Sequence, residues 1–309
     1  MTKNQALPAH NPRYALWAAG WSVATVSILI SIKLWAYIES DSSAMLASLL
    51  DSLMDAGVSI ILLFAVRYSL KPADKGHRYG HGKIEGIAAL FQSAMMFAGA
   101  CFILFESGHK FLHPQAISHH GLALWVSGVA ILLSLILVAV QKFSLARAPS
   151  LAIEADRAHY KSDIFLNLAV IFALIIHAQG GPLWVDPAVA IVIAGYFAFT
   201  SWQIGKQGAD MLMDREMPSA VRERIKMIVS RHDDVLGIHD LRTRKSGMVL
   251  HISFDVEIDP DLTLRTAHEV TRQLEQSLLE DFPYAEILIH MDPYGDTFDA
   301  RHSVKGVHH

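Results

Sequence analysis

Asp51 and Asp55 stand one helical turn apart in the run SAMLASLLDSLMDAGVSIILLFAV, residues 43–66, which is otherwise built to sit in hydrocarbon. At a spacing of four, both carboxylates leave one face of a helix. The stretch HYKSD repeats the spacing with an imidazole, His159, and a third carboxylate, Asp163. Together they offer one nitrogen and three carboxylate ligands, a four-coordinate set that a divalent ion such as zinc accepts tetrahedrally. Polar groups at a helix end can also simply reach for water. Two matched pairs favour coordination, because ionisable groups at membrane depth are costly and tend to mark ion pathways. A second cluster lies in PADKGHRYGHGK, where a bent loop can converge Asp74, His77 and His81 on one ion. Lys83 closes that stretch and reads as an ion-pair partner for another element.

The elements that must position these groups are membrane helices. Windows near 15–38, 44–66, 85–108, 121–141, 159–179 and 183–205 each have about the twenty mostly apolar residues that a crossing requires. The second, third and fifth carry polar residues such as Asp51, Gln92 and Asp163. Gly86 and Gly99 in the third could permit a close helix approach, although they do not share one face. Arg67, Lys71, Lys75, Arg78 and Lys83 follow the second window, and Lys142, Arg147 and Arg157 follow the fourth. The opposite loops carry only Lys110, so the positive-inside rule predicts both termini in the cytoplasm. The polar start and the length of the first window speak against a cleavable signal peptide.

From Pro218 the pattern is that of a soluble domain. SAVRERIKMIVSRH and TLRTAHEVTRQLEQSLLEDF are amphipathic at helical spacing. VLGIHDLRTRKSG and MVLHISFDVEI alternate around a Ser-Gly turn, and AEILIHMD closes as a strand. The order helix–strand–strand–helix–strand predicts a small α+β domain with its helices on one side of an open sheet. The expected division is a tail at 1–14, a six-helix membrane domain at 15–207, a cytoplasmic domain at 208–294 and an aperiodic tail at 295–309. A composition of 52% hydrophobic and 18% charged residues suits this plan, and a net charge of −4 speaks against a nucleic-acid partner. Cys101 is the single cysteine, which excludes an intrachain disulfide. Cysteine is absent from every ligand cluster, which argues against copper(I). Histidine with aspartate suits zinc, cadmium, iron(II), cobalt or manganese, and the imidazole tilts the choice toward zinc or cadmium. No HExxH occurs, and the membrane set is already full at four, so a metalloenzyme is disfavoured. A membrane metal sensor would explain the soluble domain without explaining ligands split between two membrane helices.

Four stretches in this order, SAMLASLLDSLMDAG, KPADKGHRYGHGKIE, ADRAHYKSD and GIHDLRTRKSG, resemble the cation diffusion facilitators, and within them the bacterial ferrous-iron/zinc efflux type. The likeness runs from about residue 15 to 294. It implies six transmembrane helices followed by a metallochaperone-like cytoplasmic domain, in a homodimer of the bacterial inner membrane that exports divalent cations in exchange for protons. It further implies a transport site of Asp51, Asp55, His159 and Asp163, and a loop site of Asp74, His77 and His81. In the cytoplasmic domain it implies a metal site at the dimer contact from His239, His268, His290 and Asp292. Asp255 stands where this subfamily commonly has histidine, which removes a softer ligand. The resemblance also implies an interlock between Lys83 and Asp214. Metal binding requires neutral histidine and ionised aspartate, so one ligand set would serve metal and protons in turn. His159 is the expected switch, since a free imidazole titrates near pH ~6.5.

Overall fold

The computed structural model describes residues 11–40, 43–112, 120–179, 182 and 184–295. The expected tail at 295–309 apart from Gly295, most of the one at 1–14, and the histidines at 113 and 119 lie outside the described residues. Two compact units divide between Leu212 and Met213.

The first unit is helical: α1 (Arg13–Ser40), α2 (Ser43–Ser69), α3 (Ile84–Leu112), α4 (His120–Leu145), α5 (Leu151–Ala178) and α6 (Val185–Leu212). Among the described residues α1 to α4 and α6 are long and apolar enough to cross a membrane. The fifth expected window differs in kind. α5 has 28 residues, about 42 Å at 1.5 Å per residue, but Glu154, Asp156, Arg157, Lys161 and Asp163 load its first half. It also begins at Leu151, two turns before the expected 159. Ser150 caps it, its Oγ accepting from Ile153 N at 3.4 Å, and Glu85 of α3 accepts from Leu151 N at 2.9 Å. Hydropathy cannot see such a start, because it is made by a cap and a buried carboxylate rather than by apolar residues. α6 likewise runs two turns beyond its window, to Leu212.

Glycine sets the closeness of α3 and α6. A Cβ on Gly208 would lie 2.9 Å from the Gly86 carbonyl oxygen, and one on Gly205 would lie 2.9 Å from Ser93 Oγ. Of the two glycines singled out in the sequence, Gly86 therefore packs tightly and Gly99 has nothing within 4 Å of its Cβ position.

The second unit contains α7 (Ser219–Val229), β1 (Gly237–Ser246), β2 (Val249–Ile258), α8 (Leu264–Asp281) and β3 (Ala285–Pro293). β2 is central, antiparallel to β1 and parallel to β3. The β1–β2 hairpin turns at Gly247, whose φ of 59° falls where glycine is favoured. Ile252, Phe254, Val256 and Ile258 of β2 pack against Ile225 and Val229 of α7 and Val270, Leu274 and Leu278 of α8. Both helices thus cover one side of the sheet, and the alternate residues of β2 are left for the other side.

Gly208→Ala should destabilise the full-length protein in detergent by about 1–3 kcal/mol, the usual cost of overpacking. Gly99→Ala should not. Equal thermal melting of the two variants would show that the glycine contact does not fix this helix pair.

Candidate metal centres

Within the membrane unit α2 and α5 bring three of the four expected ligands together. His159 Nε2 lies 3.1 Å from Asp55 Oδ1 and 3.5 Å from Asp163 Oδ2. One ligand atom from each of Asp55, His159 and Asp163 falls within 4.8 Å of the others, and all three residues are half-buried. Asp51, one turn earlier on α2, is exposed and outside this set. Tyr160 is buried beside the triad, with its hydroxyl 3.5 Å from Ser59 Oγ of α2.

Three polar groups near this site were passed over by the sequence reading. Lys33 of α1 donates from Nζ to Ser52 Oγ at 2.6 Å and to the Ser48 carbonyl at 3.1 Å, both on α2. Asp156, three residues before His159, is buried, and its Oδ2 accepts from Ser22 Oγ at 2.6 Å and Gln141 Nε2 at 2.7 Å. Buried Glu85 accepts from Ser69 Oγ at 3.0 Å, Ser150 Oγ at 2.7 Å and Leu151 N at 2.9 Å. Each is an ionisable residue inside an apolar pattern. That cost at membrane depth is the signal that could have found them.

The loop cluster between α2 and α3 closes as its spacing suggested. Asp74, His77 and His81 offer ligand atoms within 4.8 Å of one another. His81 Nε2 lies 3.3 Å from Asp74 Oδ2, and His77 Nδ1 lies 3.5 Å from Asp74 Oδ1. The His81 ring is buried under the edge of Tyr68, with ring centroids 4.7 Å apart, and its Nδ1 lies 3.2 Å from the Lys71 carbonyl. Asp74 shapes the turn, its Oδ1 accepting from His77 N at 2.8 Å and Gly76 N at 2.9 Å. The His77 amide above all, with Gly76 and Lys71, holds the Asp74 carboxyl down at about 2.

In the cytoplasmic unit the ligands stand on the open side of the sheet. His239 pairs across from Asp255, and Asp255 from His290, so three strands bring their side chains to one row. His239, Asp255 and Asp292 offer ligand atoms within 4.8 Å of one another. His239 lies 3.7 Å from Asp255 and 3.3 Å from Asp292, and His290 lies 3.2 Å from Asp292. Burial, the dominant influence, pushes the Asp255 carboxyl up, against the pull of His290 and His239. Glu257 also reaches His239, at 3.8 Å, and was not singled out in the sequence. His268 is exposed on α8, in the layer on the other side of the sheet, so one protomer does not bring it to this row. Lys83 donates to the Leu212 carbonyl at 3.5 Å, and Asp214 pairs with Arg244 at 3.2 Å.

Residues 21–213 match the family model described as the cation efflux transmembrane domain, and residues 217–294 match the cation efflux protein cytoplasmic domain. The chain is 44% identical over 284 residues to the cation-efflux pump FieF of Shewanella oneidensis, covering 91% of this chain and 96% of that protein. It is 40% identical over 297 residues to the pump of the same name from Yersinia enterocolitica, covering 95% and 98%. Among solved structures, the metal-bound C-terminal domain of the CzcD transporter from Thermotoga maritima aligns at 27% identity, covering 25% of this chain and 91% of that one, with a TM-score of 0.24.

Asp74→Ala removes the acceptor of two amides, so hydrogen exchange at Gly76 and His77 should speed up at neutral pH. The folded carboxyl lies below its ordinary value. Its hold on the turn is therefore complete above about pH 4 and is lost only as pH falls through about 2. Wild-type exchange rates in the variant at neutral pH would mean that other contacts shape the loop.

Proposed function

This chain belongs to the cation efflux family and is a multi-pass membrane transporter of cations, and we propose on that premise that its cargo is a divalent metal, zinc foremost, exchanged for protons. The observation that carries the proposal is the triad Asp55, His159 and Asp163, assembled from α2 and α5 inside the membrane unit. Asp51 completes the set as the fourth ligand when cargo draws α2 and α5 onto it. Three carboxylates and one imidazole suit zinc or cadmium, and also iron(II), cobalt or manganese. Every one of these groups binds a proton or a metal and not both, so arrival of the ion displaces protons and protonation releases the ion. Transport is then alternating access around the site, with the termini in the cytoplasm of a bacterial inner membrane, as the loop lysines and arginines imply.

The other two clusters serve the same traffic from the cytoplasmic side. Asp74, His77 and His81 hold an ion at the mouth, with a carboxylate that stays ionised at any working pH. On the sheet, His239, Asp255 and Asp292 fit a resident zinc by donor type and spacing, with His290 adjacent. His268 joins that site from the partner of a homodimer, since its own α8 lies across the sheet. The expected pairing of Lys83 with Asp214 belongs to the same proposal. A metal sensor that does not transport is the rival reading, and flux separates the two.

Asp55→Ala should abolish zinc flux into vesicles carrying an internal fluorescent indicator, while the protein still inserts. Wild-type flux in that variant would remove the assignment of the transport site. An opposing proton gradient should accelerate wild-type flux, and initial rates flat between about pH 5.5 and 7.5 would remove the exchange mechanism. For the cytoplasmic site, zinc should raise the melting temperature and the dimer fraction of the full-length protein. His239→Ala should lose most of both gains, and Asp255→His should enlarge them. No response of the wild type to saturating zinc would leave the domain a metal-independent dimerisation module.

A further inference from the structure

α1 carries one cation within its apolar length. Lys33 lies seven residues before Ser40, about 10 Å from that helix end at 1.5 Å per residue. A lysine so placed can run its stem along the helix and put the ammonium in water. This one turns onto α2 instead, where Nζ donates to Ser52 Oγ and the Ser48 carbonyl at 2.6 and 3.1 Å. Ser52 is buried and sits in the sequence between the two aspartates of α2. The ammonium interacts electrostatically with the carboxylates of Asp51 and Asp163. Hydrogen bonding alone does not explain this choice of residue, since an uncharged amide would also serve Ser52 and avoid the cost of a charge at membrane depth.

A count of charges supplies the reason. The proposed site of Asp51, Asp55 and Asp163 with neutral His159 carries three negative charges when ionised. A divalent ion cancels two of them and leaves one, which is costly in a low-dielectric interior. We propose that Lys33 is the resident counter-cation of the transport site, balancing the one carboxylate charge that a divalent cargo leaves over and thereby setting how tightly the metal is held. The inference rests on the transport site proposed above. With Lys33 in place, the loaded site is neutral for a divalent ion and charged for a monovalent or trivalent one, so this lysine also selects for cargo charge. Without it, the empty site attracts metal more strongly and releases it more slowly. One unit charge acting on a divalent ion at roughly 10 Å in a medium of effective dielectric ~20 changes affinity by about two orders of magnitude.

The test is zinc flux in proteoliposomes of the full-length protein as wild type, Lys33→Gln, Lys33→Arg and Asp55→Ala. Lys33→Gln keeps a donor for Ser52 and removes the charge, and should lower KM for zinc by about two orders of magnitude while lowering the maximal rate. Lys33→Arg keeps the charge and should stay close to wild type. A wild-type KM in Lys33→Gln, or identical behaviour of the Gln and Arg variants, overturns the counter-cation role. If Asp55→Ala transports like wild type, the site itself is misassigned and this inference falls with it. If Asp55→Ala is silent and Lys33→Gln keeps the wild-type KM, only the role of Lys33 fails. Should Lys33→Gln pass no zinc, equilibrium binding with and without Asp55→Ala decides. Asp55-dependent zinc binding tighter by about two orders of magnitude supports the role, and unchanged or weaker binding overturns it.

Discussion

A carboxylate or ammonium placed in hydrocarbon has no water to turn to, so its partner must come from a neighbouring helix. Most of the arrangement of the membrane unit follows from where those partners stand. Lys33 of α1 meets Ser52 of α2, and Asp55 of α2 meets His159 of α5. Asp156 of α5 gathers Ser22 of α1 and Gln141 of α4, while Glu85 of α3 gathers Ser69 at the end of α2 and the start of α5. The ties join five helices. α6 is held differently, by glycines that let its backbone approach α3. A hydrogen bond between membrane helices contributes only about 0.6 kcal/mol on average. Their larger effect is on register, because sliding any of these helices by one turn would strand an ionisable group without its partner.

The cytoplasmic unit answers the same demand with two sides of a sheet. Its apolar residues face α7 and α8, and His239, Asp255 and Asp292 gather on the other side. Two aspartates outside the membrane show how far surroundings set the chemistry of one residue type. Amide donors in a tight turn hold Asp74 ionised at any working pH. Burial on the sheet pushes Asp255 the other way, so a proton competes with metal there more effectively than it does at the loop. Histidine and aspartate therefore converge in three settings, and the two outside the membrane differ in how firmly a proton is held.

Spacing made the ligands legible. Asp51 with Asp55, and His159 with Asp163, are visible as pairs because the helix repeat puts residues four apart on one face. Asp74, His77 and His81 are close in the chain and needed only a bent loop. The alternation of β1, β2 and β3 gave the sheet, and with it the side on which Asp255 and Asp292 stand. What the sequence hid depended on distant partners. The start of α5 is fixed by Glu85, sixty-six residues away from Leu151. Lys33 disappeared into a window average dominated by its apolar neighbours. Gly205 and Gly208 carry no helical signal until the facing α3 is known. His268 and His239 are both histidines of one small domain, yet the sheet separates them, which no local pattern reveals.

The buried carboxylates also sort themselves by how many donors reach them. An ionised carboxylate has about four acceptor positions to fill. Glu85 receives two hydroxyls and a backbone amide, and Asp156 receives a hydroxyl and a side-chain amide. Those donors are uncharged and reach each carboxylate from two other segments, which suits groups that hold helices together and leaves little room for an ion. Asp55 and Asp163 instead share a single imidazole, at 3.1 and 3.5 Å, within a cleft between two helices. One oxygen of each lies with the histidine nitrogen within 4.8 Å of one another. In a medium where unsatisfied charge is expensive, such under-coordination is sustained by an incoming cation, whether a metal or a proton. The same count that separates Asp156 and Glu85 as ties leaves Asp55 and Asp163 as candidate ligands, on grounds independent of their spacing in the sequence.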